Sequence, residues 1–293
     1  MRKVALIRIM GLSPLVFLLF PTEGFASCPA CLGGTGFPLR GSFFYTNSPL
    51  SMDLRYLENR QKSGPYWRRL RLGRLSLAYS LGSYQLGTAL PFDFVEGYMF
   101  DSKYHRVTGV PGVDLYARKS WAPFKAGRPV TVAFAGLRLP IGRVDHLDHP
   151  SASAPIGILG GLAYGISPGF SWVLYGDLSG VWNLPRNDEY SFGSKIGGDG
   201  GILYALPTSR LLLIGIDGRI EKTFPDDDPL EPEVKENTGY FSIKVGPRFQ
   251  AEVSAFPKVL IDSSLRFKVF EELSGPQYLP SLLDFETGLS VGF

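Results

Sequence analysis

The sequence predicts an all-β protein, a transmembrane up-and-down antiparallel β-barrel of about twelve strands, and three observations predict it. Apolar and polar residues alternate with period two over runs about twice as long as the ~5–6 residues of an ordinary soluble strand. The connections between those runs alternate between short turns and long loops, as in bacterial barrels. Finally, Arg2, Lys3 and Arg8 precede an apolar stretch, Ile9 to Phe20, that is too short to cross a bilayer and leads to small residues at Gly24 and Ala26, the pattern of a secretory signal peptide.

The organisation expected is a signal peptide over 1–26, a periplasmic N-terminal segment over 27–35 and the barrel over 36–293. Strands are placed at 36–46, 66–81, 83–97, 110–122, 128–142, 154–167, 170–183, 190–207, 209–223, 238–256, 258–270 and 280–293. Residues 46–66 are read as the first long loop, before a hairpin turning at Gly82-Ser83. Breaks in alternation near Gly73 and Gly136 suggest bulges. Pro168-Gly169 and Pro207-Thr208-Ser209 mark two further tight turns. In 242–254, Ile243, Val245, Pro247, Phe249, Ala251 and Val253 oppose Lys244, Arg248, Gln250 and Glu252. Across the Pro257-Lys258 connection, Val259, Ile261, Leu265, Phe267 and Val269 oppose Asp262, Ser264, Arg266 and Lys268, so the two runs form a hairpin. The last strand sets Leu283, Phe285, Leu289, Val291 and Phe293 against Asp284, Glu286 and Ser290. The remaining long loops fall at 97–110, 142–154, 183–190, 223–238 and 270–280, which puts both termini on the periplasmic side of a bacterial outer membrane.

Composition agrees, since 35 Gly, 23 Pro and 13% aromatic residues suit strands, turns and interfacial aromatics better than helices. The formal charge is +3, and removing Arg2, Lys3, Arg8 and Glu23 with the leader lowers it to +3 − 2 = +1, which gives no electrostatic reason to expect nucleic acid. Phe92, Phe94, Trp121, Trp172, Trp182, Tyr190, Phe192, Tyr204 and Phe293 lie toward strand ends, as two interfacial girdles require.

With apolar faces turned to lipid, the lumen receives Arg138, Lys195, Asp199, Asp217, Arg219, Lys244, Arg248, Glu252, Asp262, Arg266, Lys268, Asp284 and Glu286 as pore-lining candidates. Arg118, Asp93, Asp114, Asp177 and Glu221 join them, with Arg69, Arg71 and Arg74 as further members. Acids and bases nearly balance, which disfavours single-sign ion selectivity, and such charges either line a channel or pair across the lumen and stiffen it. Gly193, Gly197 and Gly201 are expected to leave local room. Cys28 and Cys31, in Cys-Pro-Ala-Cys, suit a disulfide in an oxidising compartment, with lipidation of Cys28 as the alternative. His146 and His149 beside Asp145 and Asp148 have metal-compatible chemistry but read first as an exposed loop, and His149-Pro150-Ser151 is similar to the His-x-Ser of outer-membrane acyl hydrolases. Asp226, Asp227, Asp228, Glu231, Glu233 and Glu236 make one long loop acidic and able to bridge divalent cations at a lipopolysaccharide surface. No cofactor and no catalytic centre is expected.

Ending on Phe293 resembles the C-terminal assembly signature of outer-membrane barrels, which implies recognition by barrel-assembly machinery. Gly136-Leu137-Arg138-Leu139-Pro140-Ile141-Gly142 resembles the Lys-Leu-Pro-Thr-Gly strand end of the phenol-degradation meta-pathway family of outer-membrane channels, and Gly109 to Trp121 is similar to that family's preceding Gly-Asp strand. Here Val113 separates Gly112 from Asp114 and Ile141 replaces Thr. The resemblance implies passive uptake of small, often aromatic or apolar, solutes. The expected function is a monomeric diffusion channel in contact with outer-membrane lipid and lipopolysaccharide; the alternatives are a plugged barrel acting as scaffold or adhesin, and a lipid acyl hydrolase.

Overall fold

A computed structural model describes residues 49–98, 104–110, 112–121, 129–141, 156–166, 171–184, 193–206, 212–225, 239–255, 257–273 and 281–293. Its elements are β1 (Leu50–Ser63), β2 (Tyr66–Leu81), β3 (Tyr84–Tyr98), β4 (Tyr104–Gly109), β5 (Val113–Trp121), β6 (Val130–Leu139), β7 (Gly157–Ile166), β8 (Trp172–Asn183), β9 (Lys195–Leu206), β10 (Leu212–Thr223), β11 (Tyr240–Ala255), β12 (Lys258–Leu273) and β13 (Ser281–Gly292). Each strand pairs antiparallel with its sequence neighbour, except that β5 pairs with β3 rather than with β4, and β13 pairs with β1 to close the sheet. Because β4 pairs with the upper half of β3 and β5 with its lower half, the two share one position in the wall. The result is a closed antiparallel barrel of twelve staves, with no helix among the described residues.

Period two explains the two faces. In β8, Trp172, Leu174, Leu178 and Trp182 point outward and are exposed, while Val173, Tyr175, Ser179, Val181 and Asn183 point inward and are buried. In β10, Ile214, Ile216 and Ile220 lie outside, and Leu213, Asp217, Arg219 and Thr223 lie inside. Repeated around the barrel, this leaves an outer belt of exposed Leu, Ile, Val and aromatic side chains, a surface that water solvates poorly and hydrocarbon solvates well. The terminal strand follows its expected register: Phe285, Leu289 and Phe293 are outside, and Asp284, Glu286 and Ser290 are buried inside.

Four expectations about the wall are corrected. Residues 50–63, expected as loop, form β1; its outward register is apolar only through Leu50, Met52, Leu54 and Tyr56, then turns to Glu58, Arg60 and Lys62, which gives its second half the composition of a loop. The expected strand at 36–46 lies outside the described residues. β1 consequently meets β2 through a tight turn at Gly64, whose φ of 57° is a left-handed conformation that glycine adopts without steric cost, so the rhythm of long loops is broken at this first hairpin. Residues 97–110 contain β4, and the run 110–122 starts only at Val113.

Gly73 and Gly136 do not mark bulges, because the register runs evenly through both. A Cβ at Gly136 would press on the Leu115 carbonyl and the Cα and Cβ of Tyr116, so this glycine lets the neighbouring β5 backbone approach closely rather than accommodating an extra residue. The register shifts lie instead at Arg60/Gln61 and, in β11, at Ile243/Lys244 and Glu252/Ser254. At the barrel end that holds Leu50 and Phe293, the connections are 82–83, 122–129, 167–171, 207–211 and 256–257; at the other end, 140–156, 184–194 and 224–239 are longer.

Candidate functional site

The lumen holds almost all the buried charge. Seven basic and seven acidic side chains are buried among the described residues, and all fourteen lie on the inward register. A charge removed from water must be paired, and here the pairs form an alternating relay. Asp199 on β9 accepts from Arg219 on β10 at 2.9 Å and 3.2 Å, and Arg219 donates at 2.7 Å to Glu286 on β13. Glu286 Oε2 also accepts from Arg266 on β12 at 2.9 Å, and Arg266 donates through Nε to Asp217 at 3.1 Å. Asp217 Oδ2 accepts from Arg248 on β11 at 3.0 Å; Arg248 reaches the Tyr175 hydroxyl at 3.0 Å and Asp262 at 3.1 Å. Asp262 pairs with Arg55 on β1, and Arg55 donates to Asp53 at 3.0 Å.

These links skip strands. Arg266 and Asp217 are separated by β11, and Arg219 and Glu286 by β11 and β12, so the side chains span the curve of the lumen rather than a single ladder rung. Lys244 on β11 similarly reaches Asp284 at 2.8 Å, and Asn59 on β1 donates to the same carboxylate. Nearer β5, Asp114 accepts from Arg138 at 2.7 Å and from Arg74 at 3.3 Å, and Arg118 donates to Gln85 at 2.8 Å.

Between and beside these charges the lumen also holds an apolar cluster. Tyr116, Val130, Val132, Phe134, Leu159, Ala163, Val173, Leu203 and Leu213 form one buried cluster. Tyr116 lies across Gly87, and the Tyr175 hydroxyl and Asp217 occupy the space beside Gly201, where a Cβ would come within 2.9 Å of both. The room expected at Gly201 is thus filled by neighbouring side chains, and at Gly193 the space is closed by backbone from Phe224 and Pro225.

Of the pore-lining candidates, Asp199, Asp217, Arg219, Arg248, Asp262, Arg266 and Glu286 are buried inside and joined in the relay, Lys244 and Asp284 are buried inside and paired with each other, and Arg138 is partly buried against Asp114. Lys195 and Lys268 are exposed at strand ends, with Lys268 beside Glu271, and Glu252 pairs with Lys258 at 3.5 Å near the end that holds Phe293. Arg69 and Arg71 are not in the lumen: they lie on the outward register of β2 against Glu58 and Glu96, because inward positions on β2 carry the even numbers Arg74, Ser76 and Ala78. Cys28, Cys31, the His146 and His149 pair and the acidic residues 226–236 lie outside the described residues. Asp53, Arg55, Asn59 and Tyr175 were not singled out by sequence; the alternation of Asp53 and Arg55 with Met52, Leu54 and Tyr56 is the signal that marks β1.

Aromatic residues border the belt at both ends. Trp121, Trp172 and Phe293 are exposed toward the end that holds Leu50 and Phe293, with Trp172 and Tyr204 edge to face at 4.9 Å, and Trp182 and Phe92 are exposed toward the other. Lys119 sits over the rings of Tyr84 and Trp121 at 5.1 Å and 5.4 Å, a cation at the level of aromatic rings.

No protein-family model matches the chain, and no curated protein matches it. Among solved structures, it is similar to an outer-membrane channel from Pseudomonas putida F1, at 14% identity and a TM-score of 0.66, over 94% of this chain and 100% of that one. It is also similar to the β domain of the Bordetella autotransporter BrkA, at 13% identity and a TM-score of 0.51, over 84% of this chain and 100% of that one. At such identities the likeness is one of fold, and the fold is that of an outer-membrane β-barrel.

Proposed function

We propose that this chain is a monomeric outer-membrane channel for passive diffusion of small solutes, held closed at mid-height by the relay that runs from Asp199 to Asp53. The observation that carries the reading is that a buried apolar cluster and a buried ionic relay share the lumen. Rigidity alone is served by apolar packing, and buried ion pairs often stabilise no better than hydrophobic residues of the same volume. Ion pairs, unlike apolar packing, can exchange partners for water and solute without unravelling the wall. The apolar cluster, with Tyr116, Phe134 and Leu159, suits the small aromatic or apolar solutes that the resemblance of Gly136–Gly142 to the phenol-degradation channels implies. No catalytic step is assigned to the chain.

The same burial favours a second reading, a plugged barrel that acts as a scaffold, because Arg219 and Arg266 are sealed from solvent by their partners. Solute-swelling of proteoliposomes distinguishes the two: a diffusion channel gives swelling rates that fall with solute size, and a scaffold gives the rate of protein-free vesicles. The short connections and both ends of the barrel wall are placed in the periplasm. A cysteine at Pro225 then reacts with an impermeant thiol reagent on whole cells and one at Ser83 does not; the reverse pattern inverts the orientation.

A further inference from the structure

We propose that the outer surface of β1, β2 and β3, above the apolar belt, binds the phosphate groups of a phosphorylated glycolipid of the outer leaflet. This rests on the orientation proposed above, with the Gly64 turn facing outward from the cell.

The outward register of these strands changes character along their length. Leu54, Leu75 and Leu90 share one rung, and Tyr56, Gly73 and Phe92 the next. Glu58 then stands opposite Arg71, and Arg60 opposite Arg69, which is itself opposite Glu96; Lys62 and Trp67 share the rung beyond. From Leu54 to Glu58 the strand advances about 13 Å, at ~3.3 Å per residue, so the charges begin two rungs above the last leucine layer. Charged side chains on a lipid-facing register are costly in hydrocarbon and inexpensive at the headgroups, which fixes this patch at the level of the headgroups.

Its charge is surplus and its geometry is built. Four bases (Arg60, Lys62, Arg69, Arg71) face two acids (Glu58, Glu96), a net 4 − 2 = +2. Glu58 sits within 3.4 Å of Arg69 and 3.9 Å of Arg71, next to Arg60, and takes a hydrogen bond from the Tyr56 hydroxyl at 2.8 Å. Glu96 holds Arg69 at 3.3 Å and Arg71 at 3.1 Å. The two carboxylates therefore position three guanidinium groups, which between them carry about fifteen N–H donors against roughly eight acceptor sites. Arg60 and Arg69 are direct cross-strand partners; Glu58 lies beside both and offsets part of their repulsion, and the patch as a whole keeps its surplus of two positive charges. Arginine forks match phosphate bidentately, and the flanking Trp67 supplies an aromatic side chain at the lipid interface. Arg60 remains about half exposed, so the donors are accessible from the membrane side.

The test uses the folded full-length protein in neutral detergent, with native mass spectrometry and equilibrium binding of bis-phosphorylated lipid A. Its fully dephosphorylated form and phosphatidylglycerol are the comparators. Wild type is expected to retain the phosphorylated glycolipid at least tenfold better than either comparator, with affinity falling as salt rises. Arg60→Gln with Arg69→Gln should abolish that preference, Lys62→Gln should weaken it about threefold, and Lys119→Gln, at the other end of the barrel, should leave it unchanged. Lys62→Gln is the reporter if the double variant fails to fold. Equal retention of phosphorylated and dephosphorylated lipid, or wild-type preference in the Arg60 and Arg69 variant, overturns the proposal, and equal binding of phosphatidylglycerol overturns the choice of glycolipid. Because this binding is measured without a cell envelope, its failure is distinct from a failure of the orientation, which the Pro225 and Ser83 labelling reports.

Discussion

Arg266 concentrates the logic of the lumen in one side chain. It is fully buried and touches Glu286 on the neighbouring β13 and Asp217 on β10, across β11. Replacing it with Met removes one of the two cations that hold each acid, Arg248 and Arg219 being the others, and a buried pair broken on one side costs about 3–5 kcal/mol. Urea unfolding of Arg266→Met in lipid vesicles should show a loss in that range, and a loss under 1 kcal/mol would mean that the relay does not bear on stability. Arg266, Asp217 and Glu286 were legible in sequence as inward residues because each alternates with apolar neighbours. Their partnerships were not, since a link such as Arg55 to Asp262 exists only once the barrel closes. The inward apolar cluster was also hidden: in β6, Val130, Val132 and Phe134 alternate with Thr131, Ala133 and Ala135, so both faces look apolar and the period-two rule cannot assign them.

At the scale of elements, the first hairpin is where sequence and structure part. Its turn depends on Gly64 at φ 57°, and a Cβ there meets no atom within 4 Å, so a substitution is penalised by backbone conformation alone. Gly64→Val should therefore destabilise the barrel by about 1–2 kcal/mol, as expected for an L-residue in the left-handed region. Equilibrium unfolding measures it, and an unchanged midpoint would mean that the turn relaxes without loss of β1–β2 pairing. The hairpins at Gly82-Ser83 and Pro257-Lys258 were read correctly because their strands keep a clear apolar face up to the turn. β1 was missed because its upper outward face is charged, the very feature that gives the glycolipid surface.

For the whole molecule, the apolar belt predicts a solvent. Leu178, mid-strand in β8 and 57% exposed, faces hydrocarbon if the barrel spans a bilayer, whereas Leu50, at the end of β1, lies near the interface. Leu178→Arg should cost about 2–4 kcal/mol in a vesicle folding titration and Leu50→Arg about 0–1 kcal/mol. Equal costs would remove the depth dependence that a membrane imposes. The closed barrel was legible from the period of two and the lengths of the connections, while the state of the lumen required coordinates, because seven buried bases and seven buried acids can either line a passage or close one. Single-channel recording in planar bilayers decides between these most directly, comparing wild type with Asp217→Ala combined with Arg266→Ala, each verified as folded. A channel closed by the relay predicts small, infrequent openings in wild type and larger, more frequent ones in the double variant, with weak preference for ion sign in the former. Folded protein that gives no openings in either form contradicts the channel and leaves a scaffold.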